Sequence, residues 1–290
     1  MLRYIILLLP MIVFAKPVKI DEILTEKNSF KVDQTMTYIN IKKDESSLAP
    51  VMYQTQGGDF ITIPTYLGDK KSNQDYLNYN IALRYGVSKD FEIFANANAF
   101  MTNTKYQDGT NMSSKSDSDF GSFGVGATYQ IKNEDDTPSL LVGGSVDLVE
   151  KTKFSQTSKS NHFKGYSVFA TSYYTVDPIV FLLKSSYRIN QKKEYNNESL
   201  DAGNQFNLSP QIYFTANPYT SLNAGITYAY TWESKMNNEF VSAGGSNISY
   251  NFGVGYELNP KTTINLDAEY SNQLDMSQSS LSFGLNYKFY

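Results

Sequence analysis

The sequence predicts an all-β protein, a transmembrane antiparallel up-and-down β-barrel of about 12 strands. Polar and apolar residues alternate along most of the 290 residues, and period two is the pattern of strands with one apolar and one wet face. The alternating runs reach about 13 to 15 residues, longer than the strands of soluble sandwiches. The apolar face is rich in Tyr and Phe, which number 23 and 18, whereas Asn, Ser, Thr and Gly fill the other. Lipid outside and water inside explain this division.

The chain begins with the features of a secretory signal peptide. Arg3 precedes an apolar run, and Val13 and Ala15 occupy the small-residue positions of a cleavage site. We therefore expect residues 1–15 to be a signal peptide cleaved after Ala15. The apolar run is too short for a transmembrane helix, which needs about 20 residues. The sequence has no cysteine, which excludes a disulfide framework, a cysteine-ligated metal and a lipoprotein anchor.

Residues 16–28 do not fit the barrel wall, and we expect them to form a periplasmic N-terminal segment. They are either a loose stub or a plug that folds into the lumen. In the plug, a helix of about two turns would present apolar and acidic side chains to the lumen. Phe94 and Phe169 would supply an apolar inner patch for it. The plug residues would be Ile20, Asp21, Glu22, Ile23, Leu24 and Glu26.

The barrel is expected to occupy residues 29–290. Short connections rich in Asn, Asp and Pro alternate with longer polar loops, such as residues 104–119 and 192–203. Outer-membrane barrels keep short turns on the periplasmic side, so the C-terminus should face the periplasm. The wall strands are predicted at residues 29–43, 74–88, 90–104, 119–132, 138–152, 162–176, 178–191, 204–217, 219–234, 246–258, 261–274 and 279–290.

The strand at 74–88 illustrates how the two faces are assigned. Leu77, Tyr79 and Ile81 alternate with Asn78 and Asn80, so the first three should face lipid. The last strand alternates in the same way from Leu281 to Phe289. Such a C-terminal pattern is expected of a chain that the barrel assembly machinery inserts.

Residues 51–64 form a thirteenth β-prone run, and bacterial single-chain barrels avoid odd strand numbers. Gly57 and Gly58 separate two short runs, which is a two-residue hairpin signal. Pro64 disfavours a central wall strand. We therefore predict a small extracellular hairpin in the first loop.

The polar phase of the strands defines a candidate lumen in which amides and hydroxyls dominate and both charges occur. These side chains either pair with one another in a closed barrel or line a water-filled path. Eight-stranded barrels are filled and 16-stranded porins are open, and the many small inward residues favour the path. The candidates are Asn78, Asn80, Arg84, Glu92, Asn96, Asn98, Asp147, Lys184, Arg188, Gln205, Asn207, Gln211, Asn251, Glu257, Asp267, Glu269 and Lys288.

Motifs for catalysis are missing from the sequence. The single histidine, His162, has Lys164 two residues later and no serine in a recognisable nucleophile–base arrangement. The acidic runs lack EF-hand spacing, and no glycine-rich phosphate loop opens a helix. The formal net charge of −4 gives no basic surplus for nucleic acid. We expect no enzyme and no cofactor; the expected partners are outer-membrane lipid and lipopolysaccharide, the barrel assembly machinery and small solutes.

Residues 83–95, LRYGVSKDFEIFA, resemble the strand–turn–strand motif of the outer-membrane family named for the meta-pathway of phenol degradation. Residues 120–131 are similar to the next strand of that family, although the chain has Asp119-Phe120-Gly121 where the family usually has Gly-Asp. The resemblance implies a channel-like protein, with some members associated with aromatic compounds. The export channel of functional-amyloid systems is similar, and an N-terminal segment occludes it, but its long coiled coil has no counterpart here.

The sequence therefore favours an outer-membrane channel for the passive passage of small solutes. The resemblance implies aromatic or other hydrophobic compounds among them. Two alternatives stay open. The chain could be a non-transporting surface barrel, adhesin-like or structural, or an export channel for a secreted polypeptide.

Overall fold

The computed structural model describes residues 23–43, 51–54, 60–63, 72–108, 111–153, 158–242, 244–273 and 276–289. Within these residues no helix is long and apolar enough to cross a membrane. In chain order the strands are β1 (Phe30–Lys43), β2 (Val51–Gln54), β3 (Phe60–Ile63), β4 (Ser72–Gly86), β5 (Phe91–Asp108), β6 (Asn111–Lys132), β7 (Leu140–Lys153), β8 (Ser158–Asn161), β9 (Gly165–Val176), β10 (Ile179–Asn190), β11 (Lys193–Tyr195), β12 (Glu198–Asp201), β13 (Gln205–Asn217), β14 (Thr220–Thr231), β15 (Ser234–Met236), β16 (Glu239–Ser242), β17 (Gly245–Asn259), β18 (Thr262–Gln273) and β19 (Met276–Phe289).

Twelve of the described strands close into a barrel. Its wall runs β1, β4, β5, β6, β7, β9, β10, β13, β14, β17, β18 and β19, every neighbour is antiparallel, and β19 pairs with β1 to complete the circle. Closure gives each wall strand two neighbours and leaves no open sheet edge facing lipid. The predicted fold, an all-β antiparallel barrel of about 12 strands, is confirmed.

The two faces of the wall differ as the alternation requires. On β4, Leu77, Tyr79 and Ile81 are exposed on the outside, whereas Asn78 and Asn80 are buried inside. An exposed apolar belt and a buried polar interior are the reverse of a soluble protein. They are the expected state of a barrel whose solvent is lipid.

The β5–β6 hairpin is longer than the sequence suggested. Residues 104–108 and 111–119, predicted as part of a loop, continue both strands, with Thr104 opposite Lys115 and Asp108 opposite Asn111. These residues are mostly polar on both faces, so they carry no alternation from which a strand could be recognised. Their pairing extends the barrel wall beyond its apolar belt.

A second sheet stands at the same end of the barrel as the long loops. β11, β12, β15 and β16 form four antiparallel strands, and β11 and β12 lie inside the predicted loop 192–203. Asn196-Asn197 and Asn237-Asn238 make its two tight turns, and all four residues have positive φ. Asparagine tolerates this conformation, which two-residue hairpins require. β8 adds a short strand to β7.

The first-loop hairpin is formed by β2 and β3. Gln54 pairs with Phe60 and Val51 with Ile63. Gly57 and Gly58, which were expected to form its turn, lie outside the described residues. β3 contacts wall strand β6, but β2 and β3 form a separate sheet and are not part of the barrel wall.

At the opposite end, the turn between β6 and β7 is closed by Asp135. Thr137 donates hydrogen bonds to the Asp135 carboxylate from its hydroxyl at 2.7 Å and from its backbone N–H at 2.8 Å. These bonds, followed by the contact with Lys132, lower the pKa of Asp135 to about 2. The turn therefore keeps its carboxylate ionised at neutral pH.

Candidate functional site in the barrel interior

The described N-terminal residues enter the mouth of the barrel at the end with the short turns. Leu24 is only 7% exposed and packs against Leu141, Tyr173, Val180 and Leu182. These four buried side chains belong to β7, β9 and β10 near their short-turn ends. An apolar pocket inside the wall therefore holds the Leu24 side chain.

Polar contacts fix the same segment on the opposite side. Thr25 donates to Glu92 Oε2 from its backbone N–H at 2.7 Å and from its hydroxyl at 2.6 Å. Lys27 pairs with Gly86 in a parallel bridge, and the Asn28 N–H donates to the Gly86 carbonyl at 2.7 Å. The segment is thus bonded to β4 and β5 and packed against β7, β9 and β10.

This arrangement differs from the predicted plug in several ways. Ile20, Asp21 and Glu22 lie outside the described residues. Ile23 is half-buried, Leu24 buried and Glu26 exposed. Residues 23–28 form a bend, a bridge and a turn instead of the expected helix; the backbone N–H groups of Thr25 and Asn28 donate to the barrel. The apolar patch is the Leu24 pocket and does not involve Phe94 or Phe169.

Replacing Gly86 with alanine should unseat the segment. A Cβ at position 86 would overlap the carbonyl oxygens of Thr25 and Glu26, and such overpacking costs about 1–3 kcal/mol. We expect trypsin to cleave after Lys27 about fivefold faster or more in the folded variant. Gly245→Ala is the matched control, because nothing lies within 4 Å of its added Cβ. Equal cleavage rates in both variants would contradict the close contact.

The half of the interior under β1, β4 and β5 is filled by an ion-pair network. Arg84 contacts Asp33 at 2.7 Å and Glu92 at 3.0 Å, and Asn286 donates to Asp33 at 2.7 Å. Because Glu92 also accepts both bonds from Thr25, the N-terminal segment is linked directly to this network. The N-terminal segment is thus bonded to the same carboxylate that pairs with Arg84.

Aromatic rings fill the space next to Arg84. The Arg84 guanidinium lies 5.1 Å from the centre of the Phe94 ring, and the Phe94 and Phe169 ring centres are 6.4 Å apart. Phe94 covers Gly126, and Phe169 covers Gly143, so closely that neither glycine has room for a Cβ. Glycine in these two strands thus allows the rings to approach the inner wall closely.

A second charged cluster lies toward the long-loop end. Arg188 pairs with Asp147 and approaches Glu150 at 3.8 Å, and Lys193 binds Glu150 at 2.6 Å. Arg188 also donates to Ser167 at 3.3 Å. All four charged side chains are buried. Opposite charges alternate through the cluster, so each buried ion has a partner.

The remaining half of the interior contains a polar cavity of about 100 Å³. It lies against β10, β13, β14, β17 and β18, at mid-strand height and above. Its lining is dominated by amides and hydroxyls with one lysine and two carboxylates: Lys184, Gln205, Asn207, Ser209, Gln211, Asn223, Thr227, Asn247, Ser249, Asn251, Asp267 and Glu269. Lys184 interacts electrostatically with Asp267. The space is large enough for several water molecules, each of which needs about 10–15 Å³ by this measure.

The candidate lumen residues fall into two sets. Seven of them line the cavity. Gln205 and Asn207 are buried, and the other five are half-buried: Lys184, Gln211, Asn251, Asp267 and Glu269. The others do not line it; Asn78, Asn80, Arg84, Glu92, Asn98, Asp147 and Arg188 are buried, and Asn96, Glu257 and Lys288 are half-buried.

Several charged members of the interior were not found from the sequence, among them Glu150, Lys193 and Asp33. Glu150 is buried because the register of β6 and β7 shifts between Phe123 and Gly124, which moves the residues after Asp147 to the other phase. Lys193 lies in a predicted loop, and Asp33 lies in a strand whose phase had not been assigned. Reading the alternation of β1 would have found Asp33. Among the described residues, no three Cys, His, Asp or Glu side chains are grouped as a metal site would require.

Comparison with known proteins gives one family match and several matches in fold. The family described as outer membrane protein beta-barrel domain matches residues 132–289. An outer membrane channel from Pseudomonas putida F1 superposes with a TM-score of 0.60 at 9% identity, over 95% of this chain and 100% of that one. The translocator domain of the autotransporter NalP from Neisseria meningitidis gives 0.51 at 8% identity, over 90% and 88%. No curated protein matches the sequence. Identities this low support likeness of fold alone.

Proposed function

We propose, since this chain belongs to the outer membrane protein beta-barrel domain family, that it is an outer-membrane channel for the passive passage of small solutes. The polar cavity carries this proposal. A barrel with no transport role can fill its interior with paired side chains, as the half around Arg84 and Phe94 does. The other half instead keeps open volume lined mainly by amides and hydroxyls, with one lysine and two carboxylates. Such a lining suits a path on which solutes bind weakly enough to leave again.

We further propose that the N-terminal segment restricts this path. Leu24 fills a pocket in the inner wall, and Thr25 is bonded to a carboxylate of the opposite wall. The segment therefore spans part of the mouth. Among the described residues, it is held by the two Thr25 hydrogen bonds, the pairing of Lys27 and Asn28 with Gly86, and the apolar side chains of Ile23 and Leu24. Such a small set of contacts can open without unfolding the barrel.

Deleting residues 17–27 is expected to raise single-channel conductance and lengthen open times, because the mouth then loses the Leu24 and Thr25 side chains. The measurement is current through purified protein in a planar bilayer, compared between the full chain and the deletion. Heat-modifiability on a gel verifies that both are folded barrels. Unchanged conductance in a folded deletion variant would make the segment an inert tail.

The class of solute is a finer part of the proposal. The resemblance of residues 83–95 to the meta-pathway family favours aromatic or other hydrophobic compounds. The amide and hydroxyl lining of the cavity favours polar ones, and we give it more weight because it is the surface that a solute would touch. A cavity of about 100 Å³ also argues against an export channel for a polypeptide.

A non-transporting surface barrel is the second candidate. The four-stranded sheet of β11, β12, β15 and β16 and the extended β5–β6 hairpin favour it, because both are ordered structures beyond the apolar belt. The conductance assay separates the two functions. Absence of current in both the full chain and the deletion variant would support the surface role.

The remaining proposals concern biogenesis. Residues 1–15 act as a signal peptide cleaved after Ala15, and the barrel assembly machinery inserts the mature chain among outer-membrane lipid and lipopolysaccharide. Mass spectrometry of the protein purified from membranes tests the cleavage. An N-terminus other than Lys16 would contradict it. The proposal assigns the chain no enzymatic role and no cofactor.

A further inference from the structure

The polar cavity has more hydrogen-bond acceptors than its own residues satisfy. Gln205 Oε1, Asn247 Oδ1 and Asn251 Oδ1 are buried and accept no hydrogen bond from any residue that the structure describes. All three side chains line the cavity. Buried polar atoms in folded proteins nearly always have a partner, so these carbonyl oxygens must be satisfied by molecules that enter the cavity.

Three amide groups of the same lining donate to neighbouring side chains. Asn251 Nδ2 donates to Thr227 at 2.8 Å, Asn223 Nδ2 to Asp267 at 3.2 Å, and Gln211 Nε2 to Ser209 at 3.1 Å. The three unsatisfied carbonyl oxygens, by contrast, have no such partner among the described residues. A guest that fits this lining must bring hydrogen-bond donors.

The acceptors are spread along the wall, which restricts the guest further. Asn247 and Asn251 are four residues apart on β17, about 13 Å along a strand. One ammonium group cannot reach both. Hydroxyl groups distributed over one molecule can, and each hydroxyl also accepts a bond in return.

Charge and polarity exclude two other classes. Asp267 and Glu269 outnumber Lys184, so an anion would meet more negative than positive groups. An aromatic hydrocarbon brings no donors, and it would leave the three carbonyl oxygens desolvated and unpaired.

We propose that this cavity is a binding site for a small neutral polyhydroxylated solute, a sugar or polyol, on its passage through the barrel. The inference rests on the proposed channel function, which it makes more specific by naming the solute class. The amides of β13 and β17 recognise the hydroxyls, and the N-terminal segment lies below them at the mouth.

The test uses the purified full chain and glucose as the probe. In planar bilayers, glucose should reduce the single-channel ion current in a saturable way. Gluconate, which is of similar size but carries a negative charge, should not. Saturation-transfer NMR of the detergent-solubilised protein measures glucose binding without any need for transport.

Two variants remove acceptors and keep side-chain size. Gln205→Met and Asn251→Leu should each raise the half-blocking glucose concentration about fivefold, the equivalent of one lost hydrogen bond. Gln130→Met is the matched control, because Gln130 lies at the short-turn end of β6 and is not part of the cavity lining. Glucose should block the current through this variant at the same concentration as in the unaltered chain.

The outcomes separate this inference from the channel function. Ion current without glucose block or glucose binding would mean that the cavity holds water only, and would overturn the inference. Equal block in Gln205→Met, Asn251→Leu and the control would overturn it as well. Glucose binding by NMR that the two variants weaken, without current in any protein, would support the site and contradict the channel.

Discussion

Replacement of Arg188 by methionine is expected to lower the free energy of unfolding by about 3–5 kcal/mol. Arg188 lies between Asp147 and Glu150 inside the barrel, and its side chain is 2% exposed. Methionine occupies a similar volume but leaves Asp147 as a buried carboxylate without its cation. The loss reflects that stranded charge, since removing one member of a buried pair is far more costly than removing both.

Urea or guanidinium unfolding of the refolded barrel in lipid vesicles measures this effect. The double variant Arg188→Met with Asp147→Leu should recover much of the lost stability, because Lys193 still neutralises Glu150 at 2.6 Å. Lys192→Met is the control for an exposed pair; Lys192 contacts Glu194 with 41% of its side chain exposed and should change stability by about 0–1 kcal/mol. A single variant as stable as the control would show that water reaches the Arg188 cluster.

The wall of the barrel could be predicted because lipid and water impose opposite requirements on alternate residues. The exposed Leu77 and the buried Asn78 follow from position alone. The same rule fails at irregular register: the shift at Phe123 and Gly124 turns Glu150 inward, and a strict period-two reading assigns it to the wrong face. It also fails beyond the lipid, where Lys115 and Ser116 pair as strand without an apolar phase.

The interior was less predictable because its contacts join residues far apart in sequence. Leu24 could be recognised as apolar, but its pocket is built by Leu141, Tyr173 and Val180, which come together only when the barrel closes. Likewise, polar phase identified Asn251 and Asp267 as inward, yet it could not show which inward groups fill the barrel and which surround open space. That division depends on large side chains, chiefly Phe94 and Phe169, lying on one half of the wall.

Replacing Ile226 with arginine is expected to cost about 2–4 kcal/mol and to hinder assembly. Ile226 lies in the middle of β14, opposite Tyr250 of β17, and is 45% exposed on the apolar outside. A guanidinium at this depth would have to stay in hydrocarbon or distort the bilayer to reach water, because mid-strand positions are the farthest from both interfaces. Neighbouring outward side chains are apolar and supply no counter-ion.

Thr227→Arg is the matched control for this last effect, since it adds the same charge one residue along the same strand. Thr227 lines the polar cavity with Asp267 and Glu269, so its arginine would be hydrated and near two carboxylates. The folded fraction of each variant is measured by heat-modifiability after refolding into vesicles, and its stability by urea titration. We expect Thr227→Arg to fold with a small loss and Ile226→Arg to fold poorly. Similar losses in the two variants would contradict the assignment of Ile226 to lipid and Thr227 to the cavity, because only opposite environments make one charge costly and the other tolerated.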